Sequence, residues 1–236
     1  MQTLQLLLSG LAQGMIYALL AFGYNITFST SKTLNFALGN FLMAGGVLGF
    51  IFYSTKHWPY AATLAAIIVI GGAGGLVLKK VAIDPSVKTG SAYNWILATL
   101  AVGIILRNAA EVFWSTDDWK LASPLGDDPI RVAGVGVFPQ ELLIIGVSLA
   151  IVLGVEVFKR RTIFGKAILA VSEDRDTASL MGINQRFVIG FSFVLSAAIA
   201  AVGGLLVAPV TLVSATMGTS VLVSKSWRTA SVAPLS

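Results

Sequence analysis

About six apolar stretches, each near 20 residues and separated by short polar segments, fill most of this chain. That length matches the roughly 30 Å hydrocarbon core of a bilayer at about 1.5 Å per helical residue. Lipid offers no water to backbone N–H and C=O groups, so each stretch must satisfy them internally, as a helix. The stretches fall at Leu4–Thr27, Leu34–Tyr53, Tyr60–Leu78, Trp95–Trp114, Pro139–Phe158 and Val188–Val210. Only 11% of residues are charged, against about 25% in soluble domains. The expected fold is therefore all-α, a polytopic transmembrane helical bundle. One transmembrane domain spans residues 1–218, with a tail at 219–236 of different character.

Charge sets the orientation. Lys32, then Lys79, Lys80 and Lys88, then the segment from Lys159 to Arg186 fall on one side if the spans alternate. Lys56, His57 and the loop Ser115–Val137, with Asp117, Asp118, Asp127 and Asp128, fall on the other. Basic loops stay cytoplasmic, which puts the N-terminus outside. The opening MQTLQLLLSGLAQGM has neither the basic region nor the cleavage site of a signal peptide, and reads as a retained first span.

Polar residues inside the spans are few. Ser9, Gln13 and Tyr17 are spaced by four and share one helix face. They serve either as packing glue between helices or as the lining of a path. Asn35, Gly39 and Asn40 open the second stretch and mark either a span that starts irregularly or an ordinary helix with two buried amides. A re-entrant segment over 34–53 would shift the parity. Arg107 and Glu111 are four apart and are expected to form an intramembrane ion pair. Glycine pairs at the same spacing, Gly10/Gly14, Gly45/Gly49 and Gly71/Gly75, are expected to bring helices close.

Chemistry of its own is hard to find in the chain. Gly165-Lys166 is followed by Ala167 and lacks the upstream glycine of a phosphate loop. There is no H-E-x-x-H or G-x-S-x-G sequence, no cysteine, and one histidine, His57, in a short loop. No catalytic residue, metal site, cofactor or nucleic-acid partner is expected. Glu111 is the best candidate for an ion-coupled carrier, yet Arg107 neutralises it, while Glu141 and Glu156 lie near span ends. The chain reads as a pathway that takes its energy from elsewhere.

The segment from Lys159 to Arg186, KRRTIFGKAILAVSEDRDTASLMGINQR, mixes both charge signs with apolar residues. Ser172 is placed to cap a short helix whose first turn carries Glu173 and Asp174, and Gly182 to end it. Ala178 and Met181, three apart, would give that helix an apolar edge. Such a helix suits docking to a partner's groove, and an equally simple reading is a solvated loop.

At these residues the sequence resembles a known family. FGKAILAVSEDRDTASLMGI, with a following span that closes in GGLLVAPV, looks like the cytoplasmic loop of ATP-binding-cassette importer permeases. The group most similar is the branched-chain amino acid, or leucine/isoleucine/valine, type. LAQGMIYALLAFGYNITF, LNFALGNFLMAGG and ILATLAVGIILRNAAEVFW resemble the same family in the same order, and the resemblance spans about Leu6 to Met217. It implies an importer permease fold in a bacterial inner membrane, multi-pass. The implied partners are a second permease subunit (in a homodimer or a heterodimer), two cytoplasmic ATPase subunits and an extracytoplasmic substrate-binding protein, all around the lipid bilayer. It makes 159–187 the coupling loop and Ala170–Ile183 the coupling helix, with Glu173, Asp174, Asp176, Met181 and Gly182 facing the ATPase. Gln13, Tyr17, Asn35, Gly39 and Asn40 become candidates for the translocation path.

Two departures stand out. Where many relatives carry a His-Gly-Asp-like sequence after Asn-Phe-Ala, this chain has Leu38-Gly39-Asn40, so urea, short amides and other amino acids stay open as substrates beside branched-chain amino acids. After Met217-Gly218 the chain reads TSVLVSKSWRTASVAPLS, in which Lys225 and Arg228 oppose insertion. This tail is expected to be out of frame or the mark of a truncated copy, and an ion-coupled carrier or an inactive scaffold are the other readings.

Overall fold

The computed structural model of this chain describes residues 2–88, 93–114, 121, 123–126, 130–132 and 135–211. The aspartates of the acidic loop and the tail at 219–236 lie outside the described residues. Six helical segments among those described are long and apolar enough to cross a membrane. In chain order the elements begin with α1 (Gln2–Ser31) and α2 (Leu38–Gly49), the latter running on through a π-helical turn, Phe50–Thr55. Next come α3 (Tyr60–Leu78), extended by a second π-helical turn at Lys79–Ile83 into α4 (Asp84–Lys88), and α5 (Asn94–Trp114). A two-stranded antiparallel hairpin follows, β1 (Ile130–Val132) with β2 (Val135–Val137), in the register Ile130 to Val137. The chain continues with α6 (Pro139–Arg161), α7 (Ile163–Glu173), α8 (Arg175–Leu180) and α9 (Gln185–Val207). The multi-pass helical bundle expected from the apolar stretches is thus the fold, with one small hairpin outside it.

Pairs of contacts fix the direction of each crossing. Ser9 meets Glu141 near the start of α6, while the Lys159 ammonium stands 5.5 Å from the Phe22 ring centroid near its end, so α1 and α6 run parallel. The α9 helix runs against them: Phe191, in its second turn, stacks on Phe158 at 5.8 Å, and its Leu206 carbonyl accepts from Gln140 at 2.8 Å. Along α3, Gly71 faces Ala201 and Gly75 faces Phe193, again antiparallel, while along α2 Gly45 faces Ala201 and Gly49 faces Leu205. Trp95 at the start of α5 stacks on Phe36 at 6.4 Å, and Ala110 near its end packs with the Met43–Val47 cluster. The crossings alternate, and Lys32, Lys79, Lys80, Lys159, Arg160, Arg161 and Arg186 gather at one end, the basic end.

Asn35 explains how the second crossing begins. Its Oδ1 accepts from the Ala37 amide at 3.1 Å and its carbonyl from the Leu38 amide at 3.1 Å, closing a turn in place of helix. The segment from Thr33 to Ala37 is therefore non-helical, and α2 starts at Leu38, later than the hydropathy limit of Leu34. Leu38 already lies beside Gly23, two turns inside α1. The irregular start is real, and Asn35 is fully buried. Irregular backbone is tolerated here because alternate residues, Thr33, Asn35 and Ala37, are buried in protein.

The hub is α9. Its apolar window is 78% buried, against 11–56% for the other spans. Ser192, Ser196, Ala197, Ala200 and Ala201 present a face of small side chains that are all buried, which lets neighbouring backbones close in. A Cβ on Gly204 would overlap the Leu42 carbonyl of α2, and one on Gly75 would overlap the Phe193 carbonyl of α9. The Ser196 hydroxyl donates to the Gly23 carbonyl at 2.8 Å and ties α1 to the same helix. Two of the three glycine pairs named from the sequence thus do bring helices together. Gly10 and Gly14 do not: no neighbour lies within 4 Å of where their Cβ would be.

Candidate functional site

Two regions carry the polar chemistry, one at the basic end and one at the opposite end. At the basic end α6 turns directly into α7. The Thr162 hydroxyl donates to the Phe158 carbonyl at 2.8 Å and accepts from the Gly165 amide at 2.9 Å, so one side chain both closes α6 and caps α7. Ile168 and Val171 of α7, Ala178 of α8 and Val188 of α9 form a small buried core beneath this platform. Further ties hold it in place: Gln185 Nε2 donates to the Arg175 carbonyl at 2.6 Å, and Lys32 Nζ donates to the Ser172 carbonyl at 3.1 Å.

The platform departs from the expected single helix in its cap. Ser172 does not start a helix; α7 continues through it to Glu173, and its hydroxyl donates to the Leu169 carbonyl at 2.7 Å. Asp174 is the cap instead. Its Oδ1 accepts from the Asp176 amide at 2.9 Å and the Thr177 amide at 3.3 Å, and its Oδ2 from the Thr177 hydroxyl at 2.6 Å. The Thr177 hydroxyl first, then the amides of Thr177 and Asp176, hold the Asp174 carboxyl below the usual carboxylate range. Gly182 ends α8 as expected, at φ 83, with the Ile183 amide donating to the Ala178 carbonyl at 3.1 Å.

The apolar edge is also redrawn. Ala178 is buried against the platform core, whereas Met181 is 78% exposed and its neighbour Leu180, which no motif marks, 89% exposed. Helix α8 stops at Leu180, so Met181 lies past its end and shares no face with Ala178. Ile163 and Phe164, at the start of α7, are exposed as well. Glu173, Asp174 and Asp176 are exposed beside these apolar residues. Behind them Arg175, Lys79, Arg186 and Asp84 line a cavity of about 250 Å³. Lys79 is buried and paired with Asp84 at 3.0 Å, and burial pushes the Arg175 guanidinium down from its ordinary value.

At the opposite end Ser9, Gln13 and Tyr17 do share one face, which lines a groove of about 670 Å³ with Gly10, Gly14 and Glu141. The Ser9 hydroxyl donates to Glu141 Oε1 at 2.6 Å. Glu141 is buried, although its place near a span end reads in the sequence as an interfacial charge. The signal available was its neighbour Pro139, which fixes the helix start and so puts Glu141 in the first turn, at the favourable end of the dipole. Asn35, Gly39 and Asn40 do not line this groove. Asn35 sits in the turn before α2, and Gly39 and Asn40 in its first turn, where Asn40 packs against Gly103 of α5. The candidate path residues therefore form two separate groups. Arg107 and Glu111 pair as expected, at 2.9 Å along α5.

Residues 6–231 match the family model for the branched-chain amino acid transport system permease component. The chain is 30% identical over 219 residues to the high-affinity branched-chain amino acid transport system permease protein BraD of Pseudomonas aeruginosa, covering 86% of this chain and 70% of that one. It is 29% identical over 215 residues to the permease protein LivH of Escherichia coli, with the same coverage. A probable LivH of Methanocaldococcus jannaschii is 27% identical over 201 residues, covering 80% and 61%. No solved structure matches.

Proposed function

This chain belongs to the branched-chain amino acid transport permease family, and we propose on that premise that it is the membrane-spanning subunit of an ATP-driven importer of branched-chain amino acids in a bacterial inner membrane. A second permease subunit completes the pathway, two cytoplasmic ATPase subunits drive it, and an extracytoplasmic binding protein delivers the substrate. The observation that carries this reading is the α7–α8 platform. It stands at the basic end, which the charge rule makes cytoplasmic. It exposes Leu180, Met181, Ile163 and Phe164 beside Glu173, Asp174 and Asp176, and it is tied to α1, α6 and α9. A partner that grips this surface more tightly in one of its own states moves three spans with it. Glu173, Asp174, Asp176, Met181 and Gly182 are the residues assigned to that contact.

The test is co-purification of the tagged chain with its candidate ATPase, together with ATP-driven uptake in proteoliposomes. The Glu173→Ala/Asp174→Ala and Leu180→Asp variants should lose most of both while remaining monodisperse. Association and uptake that ignore all three substitutions would remove the platform from the interface.

A further inference from the structure

Glu141 is only 6% exposed, its Oε1 is held by Ser9, and its Oε2 is buried with no hydrogen-bond partner among the described residues. A buried carboxylate with an unpaired oxygen is costly, by several kcal/mol per ion before compensation. The residue nonetheless borders open space, which Oε2 reaches once the carboxylate turns. Glu141 borders the 670 Å³ groove along α1 and also a second cavity of about 280 Å³, lined by Ser123, Phe138, Gln140 and Pro209. Both lie at the end of the bundle opposite the basic loops. The groove falls within the roughly 300–1,000 Å³ of ordinary small-molecule sites.

We propose that the Glu141 carboxylate, oriented by Ser9, is the subsite that receives the substrate's primary ammonium group at the outer mouth of the permease. An ammonium offers three donors and one positive charge to an oxygen that lacks a partner, and beside a carboxylate as buried as Glu141 that pairing is worth more than at an exposed surface. Gln13 and Tyr17 lie on the next two turns of the same face of α1 and supply further polar groups. Leu6, Ala12, Ile144 and Val210 supply the apolar wall for a branched aliphatic side chain. Urea and short amides carry no cation and gain no charge pairing here. The subsite therefore rests on the importer reading and narrows it, from the substrates left open by Leu38-Gly39-Asn40 to those that carry an amino group.

Labelled leucine bound to the purified full chain in lipid nanodiscs tests this directly, with 4-methylpentanoate (the same skeleton without its amino group) and urea as competitors. Leucine should bind saturably, both competitors at least about tenfold more weakly, and Glu141→Gln should lose about tenfold or more in leucine affinity. Glu141→Asp, which keeps the charge, should bind more tightly than Glu141→Gln and so separates charge loss from misfolding. Glu141→Gln binding like the wild type, competition by 4-methylpentanoate equal to leucine, or no saturable binding by the monodisperse wild type would each overturn the proposal. ATP-driven uptake by the assembled complex is scored separately. Amine-selective binding without such uptake retires the importer reading and keeps the subsite, whereas uptake with binding indifferent to Glu141 does the reverse.

Discussion

The Lys32 ammonium, at the end of α1, donates to the Ser172 carbonyl of α7 at 3.1 Å, joining positions 140 apart in sequence. It links the platform to the helix that carries Ser9, Gln13 and Tyr17, and thus the two polar regions to each other. A single exposed bond of this kind is worth about 1 kcal/mol, or a few-fold in rate. Lys32→Met is expected to slow ATP-driven uptake about two- to fivefold without lowering the amount of assembled complex. Lys32→Arg should retain most of the rate. Initial rates in proteoliposomes decide it, and equal rates for all three proteins would make the link incidental.

The Asp174 cap predicts a pH response confined to acid. Its folded carboxyl is held below the ordinary 3.8, so the native state binds fewer protons than the unfolded state between those values. The cap's contribution is complete above the unfolded value and is lost as pH falls through the depressed folded one. Hydrogen exchange at the Asp176 and Thr177 amides, scaled to intrinsic rates, should stay protected from about pH 8 down to pH 5. Asp174→Ala should lose that protection throughout, and Asp174→Asn should keep much of it.

Packing around α9 predicts an asymmetry between glycines. Gly204→Ala forces a methyl into the α2 backbone and is expected to cost about 1–3 kcal/mol or more. Gly10→Ala meets nothing within 4 Å and should leave stability unchanged. Thermal unfolding followed by monodispersity in detergent compares them, and similar melting points for both variants would count against the hub.

The Arg107–Glu111 pair predicts a modest phenotype. Its side chains keep 39% and 29% of their exposure, and pairs at this helical spacing contribute about 0.2–0.5 kcal/mol. Glu111→Gln should hold ATP-driven uptake within about twofold. Loss of uptake that persists without ATP would instead make Glu111 a coupling group.

How far these features show in the sequence depends on how local their causes are. The six crossings follow from run length, because lipid forces every backbone bond inside its own segment. The stop at Gly182 follows from one residue that accepts positive φ. The choice of cap does not: Ser172 and Asp174 are both competent caps, and α7 runs on past Ser172 because Ile168 and Val171 keep its face buried. Glu141 is the same lesson in reverse. Its distance from the span end looked interfacial, and only the approach of α1, bringing Ser9 across 132 positions, encloses it. Nor could hydropathy single out α9, since the span that begins at Tyr60 is as apolar and α6 slightly more so. What distinguishes it is the number of neighbours its small side chains admit.

That arrangement has a consequence for synthesis. A chain emerges N-terminus first, so α1, α2 and α3 enter the bilayer before Gln185–Val207 exists. Until then Gly45 and Gly75 lack the α9 backbone they pack against, and the hydroxyl that will meet the Gly23 carbonyl, that of Ser196, has yet to be made. Insertion and assembly are thus separated in time, with the last described helix acting as the bolt. Nascent chains arrested before Gln185 should insert yet remain open to protease at the loops between early spans, and should become resistant once Val207 has cleared the translocon.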